Sequence, residues 1–236
     1  MKIQSINSIE TSALCNFKCE YCPHSSGLKR KTGLMDLPTF KQAIKVTKYF
    51  RSKPYFKQNR LPIEVHDINL HWMGEPLLNP LIYDFTTYAV KELPNVKFRL
   101  CTNCSLLNEA RLLQLKKSGL SYLDITDHTA SDTARAVMLK DKWHIDGNVS
   151  REFCSHPHNW ADQVNWYKWD WSPICTHLDY GSVVITWDGK IVTCCIDANV
   201  THVLGTIWDD NLDDIEIKPI ELCKQCHYSI PKPKEA

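Results

Sequence analysis

The sequence predicts an α/β protein: a partial (β/α), TIM-like barrel followed by a smaller C-terminal unit. Three observations predict it. The first two thirds of the chain alternate strand and helix signals, the pattern of a parallel sheet. Each strand runs into a polar or glycine-containing segment, the end at which parallel α/β sheets place their active sites. The alternation then stops after Leu139, several strand–helix pairs short of an eight-unit barrel. At 236 residues the chain is long enough for one core with an appendage.

Residues 3–11 read as a first strand that runs straight into a cysteine-bearing loop. Asp36 is placed to cap a helix with Pro38 in its first turn, and Phe40, Ala43, Ile44 and Thr47 recur at helical spacing. Residues 63–72 form a second strand, and 80–93 a second helix with Ile82, Phe85 and Ala89 on one face. A third strand covers 96–102. Asn108 caps a third helix whose Leu112, Leu113 and Leu115 face the core and which Gly119 ends. Residues 120–126 form a fourth strand, followed by a short helical stretch around 132–138. Further on, segments 183–187 and 190–194 flank Asp188-Gly189, a strong two-residue hairpin signal.

Composition excludes several classes. Hydrophobic residues make up 43% and charged residues 23%, as in an ordinary globular protein, and the net charge of +1 offers no field for nucleic acid or an anionic membrane. No stretch is long and apolar enough to span a bilayer, and Met1-Lys2-Ile3-Gln4-Ser5 opens no signal peptide. The expected location is cytoplasmic. In a reducing compartment the eleven cysteines read as metal ligands rather than disulfides.

Cys15, Cys19 and Cys22 fall within one run of eight residues. Three thiolates are one too few for a closed zinc or iron–sulfur site, and a cubane held by three cysteines leaves one iron open. The alternative is a zinc knuckle completed by His24. A second set, Cys175, Cys194, Cys223 and Cys226, has four members and ends in the metal-ligand spacing Cys223-Lys224-Gln225-Cys226. Four suffice for a complete cubane or a structural zinc. Cys195, next to Cys194 in a strand, faces the opposite side. Of a hydrogen-atom donor, a swapped ligand and a buried thiol, the last is expected. Cys101 and Cys104 read as buried thiols rather than a redox pair.

The C-x3-C-x2-C spacing with Tyr21 before the last cysteine resembles the radical S-adenosylmethionine (radical SAM) superfamily. That resemblance implies a 4Fe–4S cluster on Cys15, Cys19 and Cys22, whose open iron chelates SAM. It implies cofactor contacts from Tyr21; from Met73, Gly74 and Glu75 after strand two; and from Thr102 and Asn103 after strand three. Met73 and Cys104 stand where relatives carry glycine. Asp127 and His128 follow strand four and are candidates to bind SAM or substrate or to take a proton. The four later cysteines, with the Gly189–Cys194 hairpin, resemble the SPASM/twitch subgroup, whose small C-terminal unit (a β-hairpin plus a helix) holds an auxiliary 4Fe–4S cluster. In length and layout the chain is similar to short dehydrogenases of that subgroup. Its Asn148 and Arg151 remain where relatives carry an Asn-Arg-Gly-Gly run, which makes Arg151 a candidate substrate contact.

The implied organisation is a radical SAM barrel over 1–140, a Trp/His-rich connection over 141–174 and a twitch unit over 175–236. The implied function is reductive cleavage of SAM to a 5′-deoxyadenosyl radical, hydrogen abstraction from a small-molecule or peptide substrate, and oxidation with the auxiliary cluster as electron acceptor. A reductase or flavodoxin-type donor would supply the electron. Two alternatives stand beside it. One is a peptide maturase using a separate leader-binding partner, since only fourteen residues precede Cys15. The other is a zinc-stabilised binding protein.

Overall fold

The computed structural model describes residues 1–56, 67–150, 160, 161, 163, 175, 178 and 181–226. Its centre is a sheet of β1 (Ser5–Ile9), β2 (Ile68–Asn69), β3 (Phe98–Thr102), β4 (Tyr122–Thr126), β5 (Val149–Ser150), β6 (Ser182–Ile185), β7 (Lys190–Val192) and β8 (Val203–Thr206). The strand order is β5-β4-β3-β2-β1-β6-β7-β8. Every pairing from β5 across to β6 is parallel; β7 and β8 are antiparallel additions. Four helices cover the parallel part: α1 (Leu37–Arg51), α2 (Ile82–Glu92), α3 (Glu109–Lys117) and α4 (Ala130–Lys142).

The predicted helix signals act as expected. Asp36 caps α1 by accepting from Thr39 N at 2.8 Å, and Phe40, Ala43, Ile44 and Thr47 are buried on its inner face. Phe40 stacks on Phe85 of α2 with ring centroids 4.3 Å apart, which locks the two helices over one side of the sheet. Asn108 caps α3 by accepting from Arg111 N at 2.9 Å, and Gly119 follows that helix at φ +88°. Leu113 is a correction: α3 buries Leu112 and Leu115 and leaves Leu113 half-exposed, because three leucines in four residues span more of the helix than one packed face.

The second half departs further from expectation. Helix α4 is nearly twice the predicted length, and β5 and β8 carried no recognised signal. The hairpin loop is not a two-residue turn. Thr186 still pairs with Lys190, its N–H donating to Lys190 O at 2.9 Å, and Gly189 N–H reaches Thr186 O at 2.9 Å. The loop is thus Trp187-Asp188-Gly189, with Gly189 at φ +82° in the left-handed position that such three-residue loops require. The hairpin also extends the barrel sheet: β6 lies parallel to β1, with Ser5 opposite Ser182 and Ile9 opposite Ile185. All four β6 residues are buried, as for a strand covered on both faces. Strand β7 ends at Val192, so Cys194 and Cys195 lie in the bend beyond it, and strand alternation does not separate them. Among the described residues no helix is long and apolar enough to cross a membrane.

Candidate active site

The C-terminal ends of β1 to β4 open into one cleft. Its walls include Cys15, Cys19, Cys22, Tyr21, Met73, Gly74, Glu75, Thr102, Asn103 and His128. The fold therefore gathers the N-terminal cysteine set, every predicted cofactor-contact residue and one of the predicted catalytic residues.

The cysteine loop is shaped by its own turns, with Cys22 N–H donating to Cys19 O at 2.9 Å and Ser25 N–H to Cys22 O at 3.0 Å. It is tied to the end of β3 by a closed ring of three hydrogen bonds. Asn103 Nδ2 donates to Asn16 Oδ1 (2.9 Å), Asn16 Nδ2 to Ser105 Oγ (2.8 Å) and Ser105 Oγ to Asn103 Oδ1 (2.7 Å). Gly74 is clamped against the start of the same loop. A Cβ there would fall 2.4 Å from Ser12 O and 2.5 Å from Leu14 O, so only glycine fits. Glu75 follows, buried, accepting from Thr102 Oγ1 at 2.7 Å, Asn103 N at 2.8 Å and Leu77 N at 3.0 Å. Burial pushes its pKa up to about 6 despite these donors. Its carboxylate thus braces the segments after β2 and β3 from behind.

On the opposite wall, Tyr21 Oη lies 3.1 Å from His128 Nδ1, with the two rings stacked at 6.3 Å, and Cys19 Sγ is 3.7 Å from the same nitrogen. Burial lowers the His128 pKa against the opposing charge of Asp127. Asp127 itself does not line the cleft; its Oδ1 accepts from Thr133 Oγ1 of α4 at 2.7 Å. Arg151 and Cys154 lie outside the described residues.

The donor set, three thiols on one loop, suits a metal cluster. Burial raises the pKa of Cys15 and pushes that of Cys22 up to about 11, with the neighbouring thiols Cys19 and Cys15 adding to the effect at Cys22. A bound cation would favour their thiolate form. Among the described residues no three His, Cys, Asp or Glu side chains converge on one metal ion. Cys15, Cys19 and Cys22, three thiols on one loop at a common cleft, would hold a 4Fe–4S cluster with one iron left open. His24 is not among the described residues that line the cleft, and its Nε2 lies 3.2 Å from Ala13 O.

Cys194, Cys223 and Cys226 of the second cysteine set lie behind the cleft wall. Cys194 packs with Met73, Trp160, Ile196 and Ala198, and Cys195 and Cys226 pack against that cluster. Cys223 is within charge reach of Cys194, and burial raises its pKa. Backbone N–H groups point at the sulfurs: Ile196 N at Cys194 (3.3 Å), Ile220 N at Cys223 (3.4 Å) and Leu178 N at Cys175 (3.5 Å). Trp72 and Trp160 face the cleft on one side and this apolar cluster on the other. Trp72 Nε1 donates to Cys195 O at 2.8 Å.

Several cleft residues escaped the sequence reading: Phe17, His71, Trp72, Cys101, Thr126 and Trp160. The position of His71, Cys101 and Thr126 at the C-terminal ends of successive parallel strands was the available signal.

This fold and cleft define a cofactor enzyme of the radical SAM class. The model of the Radical SAM superfamily matches residues 9–145, more than half of the chain, and the chain belongs to that superfamily. Enzymes of the family work with a 4Fe–4S cluster and SAM.

Among particular relatives, the S-adenosyl-L-methionine-dependent 2-deoxy-scyllo-inosamine dehydrogenase of Niallia circulans is 23% identical over 228 residues, covering 91% of this chain and 82% of that protein. The crystal structure of BtrN in complex with AdoMet and 2-DOIA has the same fold, with a TM-score of 0.71, 23% identity and coverage of 91% of this chain and 82% of that one. A selenomethionine structure of BtrN in an open conformation gives 0.60 at 21% identity, covering 95% and 92%.

Proposed function

We propose that this chain is a dehydrogenase-like radical SAM oxidoreductase acting on a small molecule. Cys15, Cys19 and Cys22 hold the SAM-binding 4Fe–4S cluster, and Cys175, Cys194, Cys223 and Cys226 hold a second. When bound, these groups and SAM supply one-electron reduction to a 5′-deoxyadenosyl radical, hydrogen abstraction from substrate and an acceptor for the remaining electron. The chain's own residues position and exclude water. Gly74 lets backbone approach the cofactor, with Met73 beside it. Asn103 and Thr102 meet its polar groups, Tyr21 its flat ring, and Glu75 braces that wall from within. His128 faces the substrate, Asp127 after β4, held by Thr133 of α4, supports it with its charge, and Arg151 is a further substrate contact.

The observation that carries this reading is three thiols around an open cleft whose other walls are Gly74 and Asn103. The match to a dehydrogenase over most of both chains supports a small-molecule substrate rather than a peptide. In this reading 1–140 is the catalytic barrel, 141–174 a connection and 175–236 the auxiliary-cluster unit, which shares the barrel's sheet through β6. The enzyme works in the cytoplasm with a reductase or flavodoxin-type donor.

Anaerobic reconstitution tests it. Seven ligands in two sets should take up about eight iron per chain, and reductant plus SAM should yield 5′-deoxyadenosine. Replacing Cys15, Cys19 and Cys22 together by alanine should abolish that product and leave about four iron. A chain that takes zinc but no iron, or a triple variant that still forms deoxyadenosine, refutes the assignment.

A further inference from the structure

His71 stands where β2 parts from β3. The ladder between these strands runs as far as Leu70, whose N–H donates to Arg99 O at 2.8 Å. The next donor on β3, Cys101 N–H, meets a side chain instead of a carbonyl and donates to His71 Nδ1 at 3.0 Å. A ring nitrogen that accepts carries no proton, so the imidazole is the Nε2–H tautomer. Burial, helped by the Arg99 charge, brings its pKa down to about 4, so the ring is neutral at pH 7. The ring lines the cleft. Among the described residues no hydrogen bond uses its Nε2–H.

The surroundings indicate what that donor meets. Cys101 Sγ and Thr126 Oγ1, 3.1 Å apart, line the same part of the cleft. No Lys, Arg or Asp is among the described lining residues, and both oxygens of Glu75 are taken by Thr102, Asn103 and Leu77. Among the described residues the cleft thus offers neutral hydrogen-bonding groups and no free counter-ion. A buried charge would be costly there, whereas a hydroxyl matched by an N–H donor is compensated.

We propose that His71 is a substrate-binding residue that donates its Nε2–H to a hydroxyl or carbonyl oxygen, so that the cleft takes the uncharged, hydroxylated face of its substrate. This rests on the oxidoreductase reading above and deepens it.

Asparagine and glutamine separate the two ring nitrogens, since Asn Oδ1 takes the place of Nδ1 and Gln Nε2 that of the imidazole Nε2. His71→Asn keeps the acceptor for Cys101 N–H and loses the cleft donor; His71→Gln keeps the donor. Equilibrium binding of 2-deoxy-scyllo-inosamine and of myo-inositol is measured on reconstituted, SAM-loaded protein, alongside Tm. The expected result is binding of at least one probe by the wild type. H71N should weaken it about tenfold or more with Tm within a few degrees, and H71Q should stay within about threefold. Equal binding by H71N and wild type, or equal loss in both variants, overturns the assignment. So does a wild type that binds neither probe. If that wild type still makes 5′-deoxyadenosine, only the role of His71 falls; if it makes none, the oxidoreductase reading falls as well.

Discussion

Arg30 and Glu10 form a two-pronged ion pair inside the protein, with Nη1 and Nη2 at 2.9 and 2.5 Å from the two carboxylate oxygens. Their side chains are only 8% and 0% exposed. The pair joins five segments of the chain. Glu10 ends the first strand region and also accepts from Met73 N at 3.4 Å and Trp187 N at 3.2 Å. Arg30 follows the cysteine loop, lies 4.8 Å over the Trp72 ring and donates from Nε to Ala198 O at 2.8 Å.

Removing the cation alone should therefore be severe. Arg30→Met leaves a buried carboxylate without its partner and is expected to cost about 3–5 kcal/mol. Adding Glu10→Gln should restore much of that loss, because no uncompensated charge remains. Urea unfolding of the two variants checks it, and equal stability of the single and double variants would contradict the role of the pair.

Gly74→Ala forces a Cβ against two backbone carbonyls, those of Ser12 and Leu14, neither of which can swing aside like a side-chain tip. The expected cost is about 1–3 kcal/mol of stability, as for overpacking elsewhere. SAM binding should weaken as well, since the displaced carbonyls begin the cysteine loop. Calorimetric titration with SAM would expose a variant that binds normally and so disproves the constraint.

Cys104 is buried at φ +52°, in the left-handed region that L-residues enter at a cost. Cys104→Gly removes that cost and Cys104→Ala does not, while both lose the thiol. The glycine variant should be the more stable of the two by about 1 kcal/mol. Denaturant midpoints measured side by side decide it; an alanine variant of equal or greater stability contradicts the strain.

Glu75 sets a pH dependence. Burial raises its folded pKa from 4.5 to about 6, so the folded state binds the proton more tightly than the unfolded one. The sign follows: this contribution is fully present below about pH 4.5 and is lost as pH rises through 6. Relative to Glu75→Gln, which does not titrate, the wild type should gain about 2 kcal/mol on going from pH 7 to 4.5. Parallel unfolding curves at both pH values test it, and a constant difference between the two proteins would rule it out.

Local signals were legible in the sequence. Asp36 and Asn108 announced their caps because a short acceptor side chain satisfies a nearby N–H without help from the rest of the fold. Gly119 marked a helix end, and the spacing of Cys15, Cys19 and Cys22 put three thiols in one loop, which the fold brings to the cleft. What failed were readings that needed a partner. Cys194 and Cys195 were assigned opposite faces by strand alternation, but β7 stops at Val192, where its pairing with β8 shifts register. His71 carried no local signal, because the partner of its Nδ1 is Cys101 N–H on the neighbouring strand.

By itself, then, the sequence determined which chemistry the chain can carry: the thiols, their spacing, and the strand–helix rhythm that delivers polar residues to one end of a sheet. Only the tertiary structure decided which groups meet. It set β6 parallel to β1, although more than 170 residues separate Ser5 from Ser182. It buried Arg30 on Glu10 and placed Trp72 and Trp160 between the cleft of Cys15, Cys19 and Cys22 and the apolar cluster around Cys194. Caps and ligand spacings act over a few residues and are written locally. Strand pairing and charge burial depend on which distant surfaces exclude water from each other, and that is settled only when the whole core closes.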